Sequence, residues 1–173
     1  MIRRIVSAAA IAALCVLVNA GASASDLVIG LGADVTSIDP HSNNSAPNNS
    51  IAEQIFNKLI ENDPRQVQKS GLAESWRTVD DLTWEFKLRR GVKFHDGSDF
   101  TAADVAFSIE RPAILNSPGG FTIFTRAIVD KIIVDPYTIR LKTAAPYPNL
   151  PTDMSGLPIV SSKAAKGAMS PDF

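Results

Sequence analysis

Apolar and polar positions alternate most sharply between Leu82 and Arg89. Leu82, Trp84, Phe86 and Leu88 point one way, and Thr83, Glu85, Lys87 and Arg89 the other. That period of two, with aromatic residues on the apolar side, predicts a half-buried strand. Arg90-Gly91 and His95-Asp96-Gly97 interrupt the pattern around Val92 and Phe94, which predicts a turn and a short second strand. A helix comes next. Thr101 is a suitable N-cap, Asp104 completes a short capping box, and Phe100 with Val105 can form a hydrophobic staple. Pro112 is expected to stop this helix soon after Arg111.

The remaining periodicities are weaker. Leu27 to Leu31 is a nearly continuous apolar run, consistent with a strand buried on both faces. Residues 33–49 are rich in Asn, Ser, Asp and Pro and read as a long loop. Such a loop after a strand is either a ligand-binding feature or a plain surface connection. Ser50 and Glu53 suggest a capping box opening a helix to about Ile60, with Ile51, Ile55 and Leu59 on one stripe and Ala52, Phe56 and Ile60 widening it. The loop at Ser117-Pro118-Gly119-Gly120 is expected to be mobile. Ile128 to Leu141 reads as an antiparallel hairpin turning near Asp135-Pro136. Four prolines at 146, 148, 151 and 158 leave room only for short pieces beyond that hairpin: a brief strand at 157–160, and a helix start at 161–166.

The first residues are set apart by composition. Arg3 and Arg4 precede an apolar run from Ile5 to Val18, and Ala22-Ser23-Ala24 offers a cleavage site, so residues 1–24 read as a secretory signal peptide. A retained anchor is the alternative, but the run falls short of the ~20 apolar residues that a span needs. Cleavage would remove Cys15, the only cysteine, and two arginines. Fifteen basic residues would then face eighteen acidic ones, a net charge of −3. This mild charge argues for neither nucleic acid nor an anionic membrane surface as partner, and no nucleic acid is expected; export without thiols suits the periplasm. The 45% apolar and 20% charged content is that of a globular protein.

No catalytic constellation is legible. His41 and His95 are the only histidines, and neither has a ligating residue at helical spacing, so no metal or other cofactor is expected. His95-Asp96-Gly97 reads as a turn, and Asp80-Asp81 as a solvated pair beside one. No nucleophile elbow surrounds a serine, and Gly30-Leu31-Gly32 lacks the third glycine of a phosphate loop. Trp76 and Trp84 read as core residues rather than stacking platforms.

A longer pattern carries more information. Leu72-Ala73-Glu74-Ser75-Trp76, Asp80-Asp81, Thr83 to Arg89, Gly91 to Gly97 and Thr101 to Val105, in that order, resemble the extracellular solute-binding proteins of family 5. These are the periplasmic receptors of oligopeptide, dipeptide and nickel ABC importers. Ser37-Ile38-Asp39-Pro40, Phe56 to Ile60 and Val134 to Ile139 extend the resemblance over essentially the whole chain after residue 24.

The resemblance implies an α/β, periplasmic-binding-protein-like (type II, cluster C) two-lobed clamshell, of which this chain carries the N-terminal part of lobe one. Residues 25–45 would supply the first strand and loop of that lobe, 46–160 its accessory subdomain, and 161–173 a return into the lobe. The family's next segment, Gly-Thr-Gly-Pro-Tyr, and the second lobe would lie beyond Phe173, so Leu27 to Leu31 would lack sheet neighbours and leave apolar surface exposed. Solute would bind between the lobes, and an inner-membrane ABC permease would read the closure. The implied function is peptide binding for import, truncated here and not expected to be competent alone, because half a clamshell encloses a ligand on one side only; nickel or another small solute, or a stand-alone periplasmic interaction module, are the alternatives. An enzyme is not expected. Any ligand contacts here are expected in the loop 33–44, at Thr36, Ser37, Asp39 and His41.

Overall fold

A computed structural model describes residues 26–30, 32–116 and 120–168. The signal-peptide reading, Cys15, most of the loop at 117–120 and the end of the 161–173 segment lie outside the described residues. Residues 26–30 form no strand, and Leu27, Val28 and Ile29 are exposed. The strand expected from Leu27 onward, buried on both faces, is therefore not formed over these residues.

From Gly32 onward the chain forms one compact unit. Its centre is an antiparallel sheet of β3 (Ala73–Asp80), β4 (Thr83–Leu88), β6 (Thr138–Thr143) and β5 (Ile128–Asp135), in the spatial order β3-β4-β6-β5. The alternating segment is β4, and it lies between β3 and β6. Trp84 and Phe86 stand opposite Leu141 and Ile139, so one sheet face carries the core. The β5–β6 hairpin turns at Pro136-Tyr137, as its pattern predicts. On the other face Glu85 lies between two cations. Arg77 Nη2 donates to its Oε1 at 2.8 Å and Arg140 Nε to its Oε2 at 2.8 Å, which leaves Glu85 3% exposed. The polar side of β4 is therefore a cross-strand ion-pair ladder rather than a freely solvated face.

The predicted second strand after Gly91 is instead a tight loop. A single bridge joins Lys93 to Asp99, and Asp96 Oδ1 accepts from the Ser98 N–H and Oγ–H. Gly91 and Gly97 supply positive φ angles of 72° and 81° that the reversal requires. The next helix, α2 (Ala102–Leu115), starts where its cap predicts, with the Thr101 N–H donating to Asp104 Oδ2 at 2.8 Å. It does not stop at Pro112. Proline removes one N–H donor, and this helix absorbs that loss for one more turn before Asn116 ends it in the left-handed region. Phe100, Val105 and Ile109 pack in the core below the sheet.

The first helix, α1, is also displaced from its prediction and spans Ala46–Ile55. Pro47 suits its first turn, while Ser50, read as a cap, sits inside it with Oγ bonded to the Ala46 carbonyl. Leu59 and Ile60 reach the core by another route. Ile60 opens β1 (Ile60–Asn62), which pairs with β2 (Gln68–Ser70). Asn62-Asp63-Pro64 is thus the start of a hairpin loop. Gly71 closes this turn against backbone. A Cβ there would lie 2.6 Å from the Lys58 carbonyl, so Gly71→Ala is expected to cost about 1–3 kcal/mol. A thermal melt unchanged from wild type would contradict that reading.

Two short helices, α3 (Thr122–Thr125) and α4 (Leu150–Met154), complete the unit. Residues 157–160 pair only through a bridge from Pro158 to Lys58, and the Ile159 N–H donates to the Asn57 carbonyl. The helix start expected at 161–166 is a series of turns, since its backbone is held by side chains of α2 instead. No helix among the described residues is long and apolar enough to cross a membrane.

Candidate functional site

The loop between Gly32 and Ser45 has an exposed outer part and a buried root. Residues 32–34, Thr36 and Ile38 face solvent, whereas residues 39–42 are buried. Composition alone would place so polar a stretch at the surface throughout, and what holds the root inside is a set of directed polar bonds.

Thr36 is tied to α1. Its N–H donates to Asn48 Oδ1 at 3.1 Å, and Asn48 Nδ2 donates back to Thr36 Oγ1 at 3.1 Å. Ser37 is half-buried, and its Oγ accepts the Asp39 N–H at 3.0 Å. Asp39 is 1% exposed and forms a forked pair with Arg111 of α2, Nη1 to Oδ1 at 2.7 Å and Nη2 to Oδ2 at 2.8 Å. Two parallel charge-assisted bonds of this kind fix orientation as well as distance. Asp39 Oδ1 also accepts the His41 N–H at 3.0 Å, and Ser42 Oγ donates to the Asp39 carbonyl.

His41 is fully buried against Phe121, with ring centroids 5.8 Å apart. Its Nε2 lies 2.8 Å from the Pro158 carbonyl, which can only accept, so Nε2 carries the proton and Nδ1 does not. Nδ1 has no hydrogen-bond partner among the described residues. Burial, with a contribution from the Arg111 charge, lowers the imidazole pKa from 6.5 to about 4, against the opposing pull of the Pro158 bond and Asp39. His41 is therefore neutral at pH 7. Among the described residues no group of three or more His, Cys, Asp or Glu is placed to hold a metal ion.

The four residues singled out in the sequence thus occupy one loop in two different situations. Thr36 is exposed and Ser37 half-buried, whereas Asp39 and His41 lie inside. The sequence reading misses Asn48, Arg111 and the Pro158 carbonyl, which hold the loop in place. One signal is available for Arg111, a cation on the otherwise inward stripe of Val105, Ser108, Ile109 and Pro112, which needs a buried anion to accompany it.

The same helix grips the segment after Pro158. Ser108 Oγ accepts the Val160 N–H at 3.0 Å, and Asp104 Oδ1 accepts from the Ser162 N–H and Oγ–H at 2.8 Å each. Arg111 Nη2 reaches the Ala168 carbonyl at 3.1 Å. Asp104, Ser108 and Arg111 are one polar stripe along α2, and it joins the loop root to residues 160–168. An apolar cleft of about 340 Å³ opens beside the same segment, lined by Phe56, Phe94, Phe100, Ile159 and Ala165 with Lys93 and His95 among its polar residues.

Comparison with known proteins gives a consistent set of likenesses. A family model described as bacterial extracellular solute-binding proteins, family 5 middle, matches residues 68–172. The glutathione-binding protein GsiB of Escherichia coli strain K12 is 30% identical over 139 residues, covering 78% of this chain and 27% of that protein. GsiB of Salmonella choleraesuis strain SC-B67 is 32% identical over 126 residues, covering 72% of this chain and 25% of that protein. The chain spans about a quarter of the length of these relatives. Among solved structures, OppA of Burkholderia pseudomallei superposes with a TM-score of 0.72 at 28% identity, covering 79% of this chain and 30% of that one. NikZ of Campylobacter jejuni, solved with Ni(L-His), gives 0.67 at 25% identity, covering 82% and 28%. The oligopeptide-binding protein AppA of Bacillus subtilis gives 0.75 at 23% identity, covering 86% and 30%, a likeness of fold.

Proposed function

The chain belongs to the bacterial extracellular solute-binding proteins of family 5, and from that premise we propose that it serves as the periplasmic receptor of an ABC importer for peptides. Its α/β fold is that of the type II periplasmic binding proteins. It acts by binding and presenting solute to an inner-membrane permease, without catalysis. In this reading residues 25–45 and 161–173 belong to lobe one, and residues 46–160 form the subdomain packed on it. Solute meets the exposed part of the loop, at Thr36 and Ser37, while Asp39 and His41 act through the loop they hold.

The observation that supports this most is the loop itself. Its outer residues, 32–36, stay at or near the surface above a root fixed by a buried fork and a buried imidazole. A polar, pre-ordered rim is what a receptor for small polar solutes requires, because ordering it beforehand removes part of the cost of binding. Peptide as the solute class rests on the glutathione-binding relatives. Nickel chelate is the competing class because NikZ shares the fold.

Uptake distinguishes these classes. Deleting the gene is expected to lower uptake of labelled glutathione or a labelled dipeptide, and restoring the gene to return it, with ⁶³Ni uptake unchanged. Loss of ⁶³Ni uptake alone, or no change for either peptide, would overturn the peptide assignment.

A further inference from the structure

We infer that Arg111 is a positioning residue for solute binding, an inference that rests on the loop being the solute-facing part of the protein. Arg111 lies on α2, outside the loop itself. It acts through Asp39, which it grips with both terminal nitrogens at 2.7 and 2.8 Å, and through the Ala168 carbonyl at 3.1 Å.

The choice of residue at 111 is informative. Burying a guanidinium and a carboxylate takes both out of water, and a well-packed apolar pair of the same volume generally stabilises a core as well or better. Arg111 is 2% exposed and the Asp39 side chain 0%, so both ions bear that cost in full. What an apolar pair cannot supply is direction. The guanidinium is planar, and its fork sets the distance, angle and plane of the carboxylate together. The Asp39 backbone sits between Ser37 Oγ on one side and the buried His41 on the other. Fixing the carboxylate therefore fixes the chain direction where the loop emerges toward Ser37 and Thr36.

The stretch from Thr36 to Asp39 is held at its two ends by different helices. Asn48 of α1 holds Thr36, and Arg111 of α2 holds Asp39. The two residues between these anchors, Ser37 and Ile38, have few conformations left, so little order remains to be imposed there when solute arrives. Because Arg111 also reaches residue 168, the loop root and the 160–168 segment share one anchor, and both move with α2. The loop is in this way oriented relative to the body of the subdomain rather than only attached to it.

Arg111→Lys tests the idea, since it keeps the charge and loses the fork. Two measurements are needed: amide hydrogen exchange at residues 36–42 in the purified protein, and the concentration dependence of labelled glutathione uptake in a deletion strain carrying the variant. Exchange in the loop is expected to rise at least tenfold, with exchange in β4 and β6 unchanged. Half-saturation of uptake is expected to rise at least tenfold, with little change in the maximal rate. Unchanged loop exchange would overturn the inference. So would faster loop exchange with unaltered half-saturation, which would make Arg111 a stabilising residue only. If the wild-type gene itself supports uptake of neither glutathione nor the labelled dipeptide, the peptide reading falls, and the exchange measurement alone decides whether Arg111 orders the loop.

Discussion

Arg111→Met is expected to lower the free energy of unfolding by about 3–5 kcal/mol, the usual cost of removing one partner from a buried ion pair. The substitution removes both bonds of the fork and the bond to the Ala168 carbonyl, and it leaves behind a carboxylate on a residue only 1% exposed. For a domain whose whole stability is about 5–15 kcal/mol, that loss is a large share. Asp39→Asn is expected to be costly for the mirror-image reason, because it strands the guanidinium. The double variant Asp39→Asn with Arg111→Met should be less damaging than the sum of the two, since it removes both charges together. Urea titration of the four proteins gives the cycle. Strict additivity would mean that the two groups are not coupled, contrary to the geometry.

The second large effect is expected in acid. The His41 pKa is lowered from 6.5 in an open chain to about 4 when folded. Between those values the unfolded chain takes up a proton that the folded one refuses. Stability is therefore full above about pH 6.5, declines as the pH falls, and has lost the whole contribution below about pH 4. The difference corresponds to about 3 kcal/mol. Glu85, Asp96 and Asp135, whose pKa values are lowered by hydrogen bonds, lose their contributions only as the pH falls through and below the ordinary carboxylate range. Asp153, raised by burial, works in the opposite direction. The part that belongs to His41 is read as a difference: His41→Gln, whose amide can still donate to the Pro158 carbonyl, should flatten the stability profile between pH 6.5 and 4.5. An equal slope in wild type and variant would show that the imidazole does not titrate with folding.

The legible parts of the fold are those whose information is local. The alternation in β4, the hairpin across Pro136-Tyr137 and the cap at Thr101 each depend on residues within a few positions, and each is found where its pattern lies. The start of α1 is harder to read because two plausible caps compete there. Ser50 and Glu53 spell a capping box, but Pro47 favours an earlier start, and Ser50 is satisfied by bonding the carbonyl four residues back. Leu59 and Ile60 fit a helix stripe in the sequence because burial alone does not say which element delivers a side chain. The core receives them around a hairpin instead.

The candidate site divides along the same line. That a polar loop rich in Asx and Ser would matter is visible in composition. That its root would be interior is not, because the partners lie far along the chain: Asp39 meets Arg111 across 72 positions, and His41 meets Pro158 across 117. Single-sequence periodicity carries no such pairing. The one hint, a cation on an apolar helix stripe, tells that a distant carboxylate is needed and not which one.

The ladder from Arg77 through Glu85 to Arg140 has a bearing on how the sheet chooses its alignment. Sliding β4 by a single residue against β3 or β6 would turn Glu85 inward among Phe86's present neighbours, and bring an aromatic ring out between two guanidinium groups. Any pairing of the three strands that is out by one residue thus meets a charge where it needs a hydrocarbon. One acidic residue in the middle strand acts as a key cut for a single setting of the lock, so the centre of the sheet resists slipping even where its edges do not.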